Sequence, residues 1–274
     1  MTKSSADIRT FPVHRIVSID TCAVGKEKHH IPVMVEVDVT RALEKISSFK
    51  KKSRKKRSFT AWFVKCVAEA VRKYPDIRAY YLRRNRSMIF RDVDITVLVE
   101  RDVGGEKVPY PCVIRGANEK DIDAITGEIE AARGRELTRE QPLLEDTVSP
   151  LLLRIYYALP GFLRRAYWRL VLKMPAVANR QMGSITVTSV GMFGAIRGWF
   201  IPITVIPLAF AIGSIVDTPR VIKGGSWRGR SSTLPYCLTM TSLTGLRRRG
   251  SWLILPRCLK MPTDYRLIPD WRRS

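Results

Sequence analysis

The side chains that ordinarily ligate metals or carry catalysis are few in this 274-residue chain and stand far apart. The five cysteines, Cys22, Cys66, Cys112, Cys237 and Cys258, form no Cys-x-x-Cys pair. Their spacing indicates neither a zinc site nor a disulfide framework, so no metal is expected and a reducing, cytoplasmic setting is the default. The three histidines, His14, His29 and His30, all lie near the N-terminus, and His29 and His30 read as ordinary surface residues ahead of the first strand. Hydroxyls are denser: Ser184, Thr186, Thr188 and Ser189 follow one another between Gly183 and Gly191, although threonine in a strand is common on propensity alone.

Charge is the next chemical signal. The 48 Lys and Arg against 25 Asp and Glu give a net charge of +23, and seven of the eight residues from Lys50 to Arg57 are cations. Such a run cannot pack against itself and is expected to be a solvated loop. A nucleic-acid-binding module is one reading of this charge, but no recognition motif accompanies it, and +8 of the total lies in the last fifty residues. No specific nucleic-acid partner is expected. Those fifty residues, Gly225 to Ser274, also lack Ala, Val, Glu, Phe, His, Asn and Gln while holding three of the six Trp and the run Arg247-Arg248-Arg249. A composition shift of that kind marks a change of origin more than a domain boundary.

The length and a hydrophobic content of 45% allow a substantial core and exclude a disordered chain. Val33, Val35, Val37 and Val39 alternate with Met34, Glu36 and Asp38, and Val93, Ile95, Val97 and Val99 with Asp94, Thr96 and Leu98, giving two strands, and a third is expected around Val108 to Ile114 after the Gly104-Gly105 turn. Helices are expected from Thr40 as cap through Leu43 and Ile46, and from Ser58 as cap through Trp62, Phe63, Cys66, Val67, Ala70 and Val71 to the stop at Pro75. A further helix runs from Asn118 as cap through Ile122, Ile125 and Ile129 to Gly134. The aromatic-rich stretch from Ser149 to Ala178 reads as two core helices joined at Pro160-Gly161; as a basic amphipathic pattern it also fits an oligomer contact or a membrane surface. Gly198 to Val216 is free of charge, but Pro202, Pro207 and the β-branched run Ile201 to Ile206 fit a buried strand better than a membrane helix, so no integral span is expected. The N-terminus has no signal-like apolar stretch.

Several of these stretches resemble a known family. Val35-Glu36-Val37-Asp38-Val39-Thr40, the helix from Ser58-Phe59-Thr60 to Tyr74-Pro75, Asp92-Val93-Asp94-Ile95, and above all the run from Gly183 through Ser184, Thr186, Thr188 and Gly191 to Met192-Phe193-Gly194 are similar to the catalytic domain of the acyltransferases of 2-oxo acid dehydrogenase complexes. Pro207 to Gly213 fits the family's next strand. The resemblance implies an α/β (α+β) fold of the chloramphenicol acetyltransferase-like kind, a mixed sheet flanked by helices, assembled as homotrimers with active sites between subunits. It implies coenzyme A as a substrate and acyl transfer to a lipoyl-type thiol or other small acceptor, with a lipoyl-bearing protein as a possible partner. This chain shows no lipoyl domain of its own, which favours a free-standing acyltransferase. By the same resemblance Thr188 is the oxyanion donor, and Ser189, Gly191 and Phe193 adjoin the substrate.

The family's base motif, His-x-x-x-Asp-Gly, is missing: none of His14, His29 or His30 begins it. Read one frame across, however, the stretch Ser232 to Trp252 permits His-Leu-Thr-Val-Leu-Phe-Asp-His-Asp-Val-Ile-Asp-Gly-Ala-Ala-Ala-Ala-Arg-Phe-Val, which contains it. The expectation is therefore an N-terminal arm (1–30), an incomplete acyltransferase domain (31–224) and an out-of-frame tail (225–274) that leaves part of the sheet or a subunit interface uncovered. A non-catalytic trimeric scaffold is the alternative.

Overall fold

In the computed structural model, the described residues are 14–53, 57–82, 84, 86–103, 106–134, 150–189, 198, 200–222 and 225–239. The alternating valines form β1 (His30–Asp38), with Ile31, Val33, Val35 and Val37 turned to the core and Pro32, Met34 and Glu36 to the outside. The next helix, α2 (Thr40–Ser53), is capped by Asp38, not by Thr40: an Asp38 carboxylate oxygen accepts the Thr40 N–H at 2.9 Å. It also runs through Lys50, Lys51 and Lys52, which the sequence placed in a loop. Lysine is a good helix former, and at a helix C-terminus its charge meets the negative end of the dipole. Residues 54–56 of the basic run lie outside the described residues. Arg57, its last cation, is held by Asp123 at 2.5 and 2.7 Å and lies 3.4 Å over the Phe49 ring.

As expected, Ser58 caps α3 (Phe59–Lys73), accepting the Ala61 N–H at 3.3 Å, and the helix ends just before Pro75. Its buried face is Phe63, Val64, Val67, Ala68 and Val71, while Trp62, Cys66 and Ala70 flank it half-buried. After a short turn, β2 (Tyr80–Leu82) and β3 (Arg86–Met88) form a separate hairpin. The second and third expected strands are β4 (Ile95–Val103) and β5 (Glu106–Ile114), paired antiparallel. Helix α4 (Ile122–Gly134) is capped by Asp121, whose carboxylate accepts the Ala124 N–H at 2.6 Å. Asn118, the expected cap, instead accepts the Val93 N–H at 2.9 Å and ties this loop to the entry of β4.

Three helices follow, α5 (Pro150–Ala158), α6 (Gly161–Lys173) and α7 (Pro175–Met182), and then β6 (Ile185–Ser189), β7 (Leu208–Ile212), β8 (Ile215–Ile222) and β9 (Gly225–Thr239). The seven-stranded sheet runs β1-β9-β7-β6-β4-β5, with β8 also paired to β9. β4, β6 and β7 are mutually parallel and the other pairings antiparallel, so the sheet is mixed and flanked by helices, as expected. α3 and α4 cover one face; Phe63, Ile125, Ile129, Ile95, Ile114 and Ile185 are fully buried between them and the sheet.

The structure corrects the sequence reading in three further places. Ile201 to Ile206 is irregular, with Ile201 and Ile203 exposed, and the buried strand begins only after Pro207; proline lacks the N–H that a central strand needs. Helices α5 and α6 are joined at Pro160-Gly161 as expected, but they are not simply core. Trp168 and Val171 point inward, whereas Phe162, Leu163, Tyr167 and Leu170 face out. Finally, the start of the tail does not leave the sheet open: β9 fills the slot between β1 and β7, pairing with residues 30–38 on one side and 208–210 on the other. Ladder hydrogen bonds come from the backbone, so β9 takes this place although Gly229 and Pro235 lie within it, Pro235 giving up one N–H opposite Met34. Among the described residues no helix is long and apolar enough to cross a membrane.

Candidate active site

The hydroxyl-rich run becomes β6, which lies between β4 and β7. Ile185 pairs with Ile95 on one side and Leu208 on the other, and Thr188 with Ala211. Ile185 and Val187 belong to the core under α3 and α4, so the strand's alternation turns Thr186 and Thr188 to the opposite face. Thr188 is only 4% exposed, and Ser189 is half-buried. Both border a cleft of about 320 Å³ on the α3–α4 side of the sheet, with Thr60 at the start of α3, Val97 to Glu100 of β4, Ile129 and Arg133 of α4, and Val187 of β6 itself, whereas the alternation turns the Thr188 side chain to the other face. That volume is at the small end of the range for ligand pockets, about 300–1,000 Å³. Of the expected site residues the structure thus brings Thr188 and Ser189 together at one cleft. Gly191 and Phe193 lie outside the described residues.

What fixes β6 here is a polar clamp that sequence reasoning did not single out. Gly183 has φ +65°, and its neighbour Ser184 donates its N–H to the Asp94 carbonyl at 3.1 Å. The Asp94 carboxylate accepts from Arg115 at 2.9 Å, from the Gly116 N–H at 3.0 Å and from the Asn179 amide at 3.3 Å. Tyr80 donates its hydroxyl to the Gly183 carbonyl at 2.6 Å, and Thr96 donates to the Met182 carbonyl. Burial pushes the Tyr80 phenol well above its ordinary value, so it stays a proton donor. The resemblance flagged Asp94 and Gly183, but Arg115, Asn179 and Tyr80 have no sequence spacing that links them to β6.

His29 and His30 do not reach this cleft. His29 is exposed, and the His30 imidazole Nε2 sits 2.9 Å from the Thr204 carbonyl oxygen and 3.2 Å from the Thr204 nitrogen, bracing the 200–206 segment. His30 pairs with Thr239 three strands away from β6, which places it about 14 Å across the sheet and about 13 Å along it from Thr188. Nearby, Lys28 donates to the Val205 carbonyl, and burial lowers its pKa to about 8. The Cys66 thiol is pushed up to about 12 by burial and stays protonated at neutral pH, which disqualifies it as a nucleophile. Thr188 and Ser189 therefore border the cleft, and within one copy neither His29 nor His30 stands beside them.

Comparison with known proteins identifies the frame. Residues 14–146 match the model of the 2-oxoacid dehydrogenases acyltransferase catalytic domain. Those residues belong to that acyltransferase family. Solved structures carry the same fold over nearly the whole chain. A probable dihydrolipoamide acetyltransferase from Listeria monocytogenes 4b F2365 is 21% identical with a TM-score of 0.63, covering 97% of this chain and all of that one. The cubic core of a pyruvate dehydrogenase multienzyme complex is 15% identical at 0.63, covering 97% of this chain and 96% of that chain. The truncated catalytic core of the Thermoplasma acidophilum 2-oxoacid dehydrogenase complex is 18% identical at 0.59, covering 93% and 95%. Compared with curated protein sequences, the chain has no significant match. The chain is thus an acyltransferase catalytic domain in fold and, over its matched residues, in family; Thr188 and its strand lie beyond the family match and within the shared fold.

Proposed function

We propose that this domain transfers an acyl group between coenzyme A and a thiol of the lipoyl type, or another small acceptor, and that the chain as written lacks its general base because the reading frame changes near Gly224-Gly225. In the transfer, a base takes the proton of the attacking thiol and the thiolate adds to the thioester carbonyl. Thr188 donates its hydroxyl to the resulting oxyanion, and the intermediate collapses by expelling the other thiolate, which recovers the proton. Ser189, Gly191 and Phe193 adjoin the substrate in this reading, and the cleft at Thr188 has room for a slender thiol-bearing arm.

The observation that carries the proposal is the place of β9 in the sheet, between β1 and β7. Its described residues reach Thr239, and the shifted frame places the motif histidine at the junction of Thr239 and Met240, at the limit of the described residues. The start of the tail therefore occupies a central strand of the sheet. Leu238 of β9 is level with Leu208 and hence with Ile185, two strands from β6, so in one copy that end is about 14 Å from Thr188. In this reading a base there serves the Thr188 of a neighbouring copy, in the trimer with shared sites that the family resemblance implies, and a lipoyl-bearing protein is a possible partner.

The test is a thioester-transfer assay on the chain as written and on a version carrying the shifted-frame tail, together with sequencing of the gene across codons 215–274. The chain as written is expected to be inactive and the restored one active. A restored, folded chain that transfers nothing would transfer the lead to the scaffold reading.

A further inference from the structure

Helix α6 shows its most apolar stripe to the outside. Spaced around the helix, Phe162, Ala166, Leu170, Leu163 and Tyr167 form one continuous outward band, continued by Met174, while Trp168 and Val171 anchor the opposite side. Phe162 is 62% exposed and Leu170 56%, and on α5 Leu151 is 68% exposed beside Leu152 and Ile155. An ordinary surface helix would carry polar residues there.

The charge carried by α5 to α7 themselves has one sign. Between Asp146 and Asp217 the chain contains no acidic residue, yet α5 to α7 carry Arg154, Arg164, Arg165, Arg169, Lys173 and Arg180. Arg164 is paired with Asp20 of α1 (His14–Gly25) and Arg169 with Glu27 in the turn that follows it, which holds α6 against the domain. Arg154 and Lys173 are exposed, and Arg165 is half-buried along the edge of the band.

We propose that this face docks on an anionic lipid surface, with α6 lying in the interfacial plane and α5 beside it. A second copy seated face to face would bring like cations together with no carboxylate on these helices to separate them. An anionic bilayer supplies both requirements: apolar depth for Phe162, Leu170 and Leu151, and negative headgroups for Arg154, Arg165 and Lys173. It also accepts a convex helical surface without a matching groove. The reading is independent of the acyl-transfer reaction and compatible with the absence of a spanning helix among the described residues.

The test is co-sedimentation of the full chain with phosphatidylcholine vesicles with and without phosphatidylglycerol, at low and high salt. Binding is expected only with the anionic lipid, weakened but not abolished by salt. The charge-neutral pair Phe162→Ser with Leu170→Ser is expected to reduce it about tenfold or more, and Leu151→Ser with Leu152→Ser repeats the test on α5 should the first pair fold poorly. Absence of binding by the wild type would overturn the proposal. So would equal binding by folded serine variants, which would reduce the effect to net charge, or a wild-type oligomer that those variants dissolve, which would assign the face to a second copy.

Discussion

Gly183 and Asp94 touch through their backbones: a Cβ at position 183 would lie 2.6 Å from the Asp94 carbonyl oxygen. With φ at +65° as well, this is a place only glycine fits, and it sets the register in which β6 enters the sheet beside β4. Gly183→Ala should therefore lower unfolding stability by about 2–4 kcal/mol. Gly116 also has a positive φ, at +55°, but open space where its Cβ would go, so Gly116→Ala should cost only about 1 kcal/mol. Denaturant midpoints of the two variants check the contrast; equal losses would refute the close-contact account.

Asp20 of α1 is buried and accepts from Arg164 at 2.7 Å and from the Tyr156 hydroxyl at 2.8 Å, while Trp168 donates to that same hydroxyl at 2.9 Å. Removing the carboxylate strands a largely buried guanidinium, so Asp20→Ala should cost about 3–5 kcal/mol. Replacing both partners, with Asp20→Leu and Arg164→Met, should recover most of the loss. A double variant no better than the single one would show that the pair is not the source.

Lys28 gives a pH signature. Its pKa is lowered by burial from an ordinary 10.5 to about 8. Between those values the unfolded chain holds more protons than the folded one, so stability rises with pH across that window, and below it the cost of burying the charge is paid in full. The gain is bounded at about 3 kcal/mol. Lys28→Met should thus be relatively most favourable near pH 7 and lose that advantage by pH 10. Melting curves of both proteins at the two pH values test it; a difference independent of pH would contradict the burial of Lys28.

In the chain carrying the shifted-frame tail, Thr188→Val should lower kcat by about a hundredfold to a thousandfold with little change in KM, as expected of a donor that acts on the transition state. Thr188→Ser should retain most of the activity. A large rise in KM with unchanged kcat would make Thr188 a binding residue instead.

The sequence by itself determined the elements whose signals are local. Alternating valines specified β1 and β4 because strand side chains repeat every two residues, and Ser58 and Pro75 bounded α3 through cap and ring chemistry that needs no distant partner. It also placed Thr188 on a strand. Only the tertiary structure decided the rest. That Asp38 and Asp121, not Thr40 and Asn118, accept the first helical N–H groups depended on where each helix begins, at Thr40 and at Ile122, while Asn118 holds the Val93 N–H. Periodicity showed that α6 is apolar but not which apolar side faces in, because Trp168 and Phe162 are both hydrophobic and the choice is made by α1 through Asp20 and Arg164. The clamp of Asp94, Arg115, Asn179 and Tyr80 joins residues separated by up to about a hundred positions, and the slot taken by β9 exists only once β1 and β7 are in place. Local patterns record what a segment can become; the contacts that choose among those options belong to the folded chain.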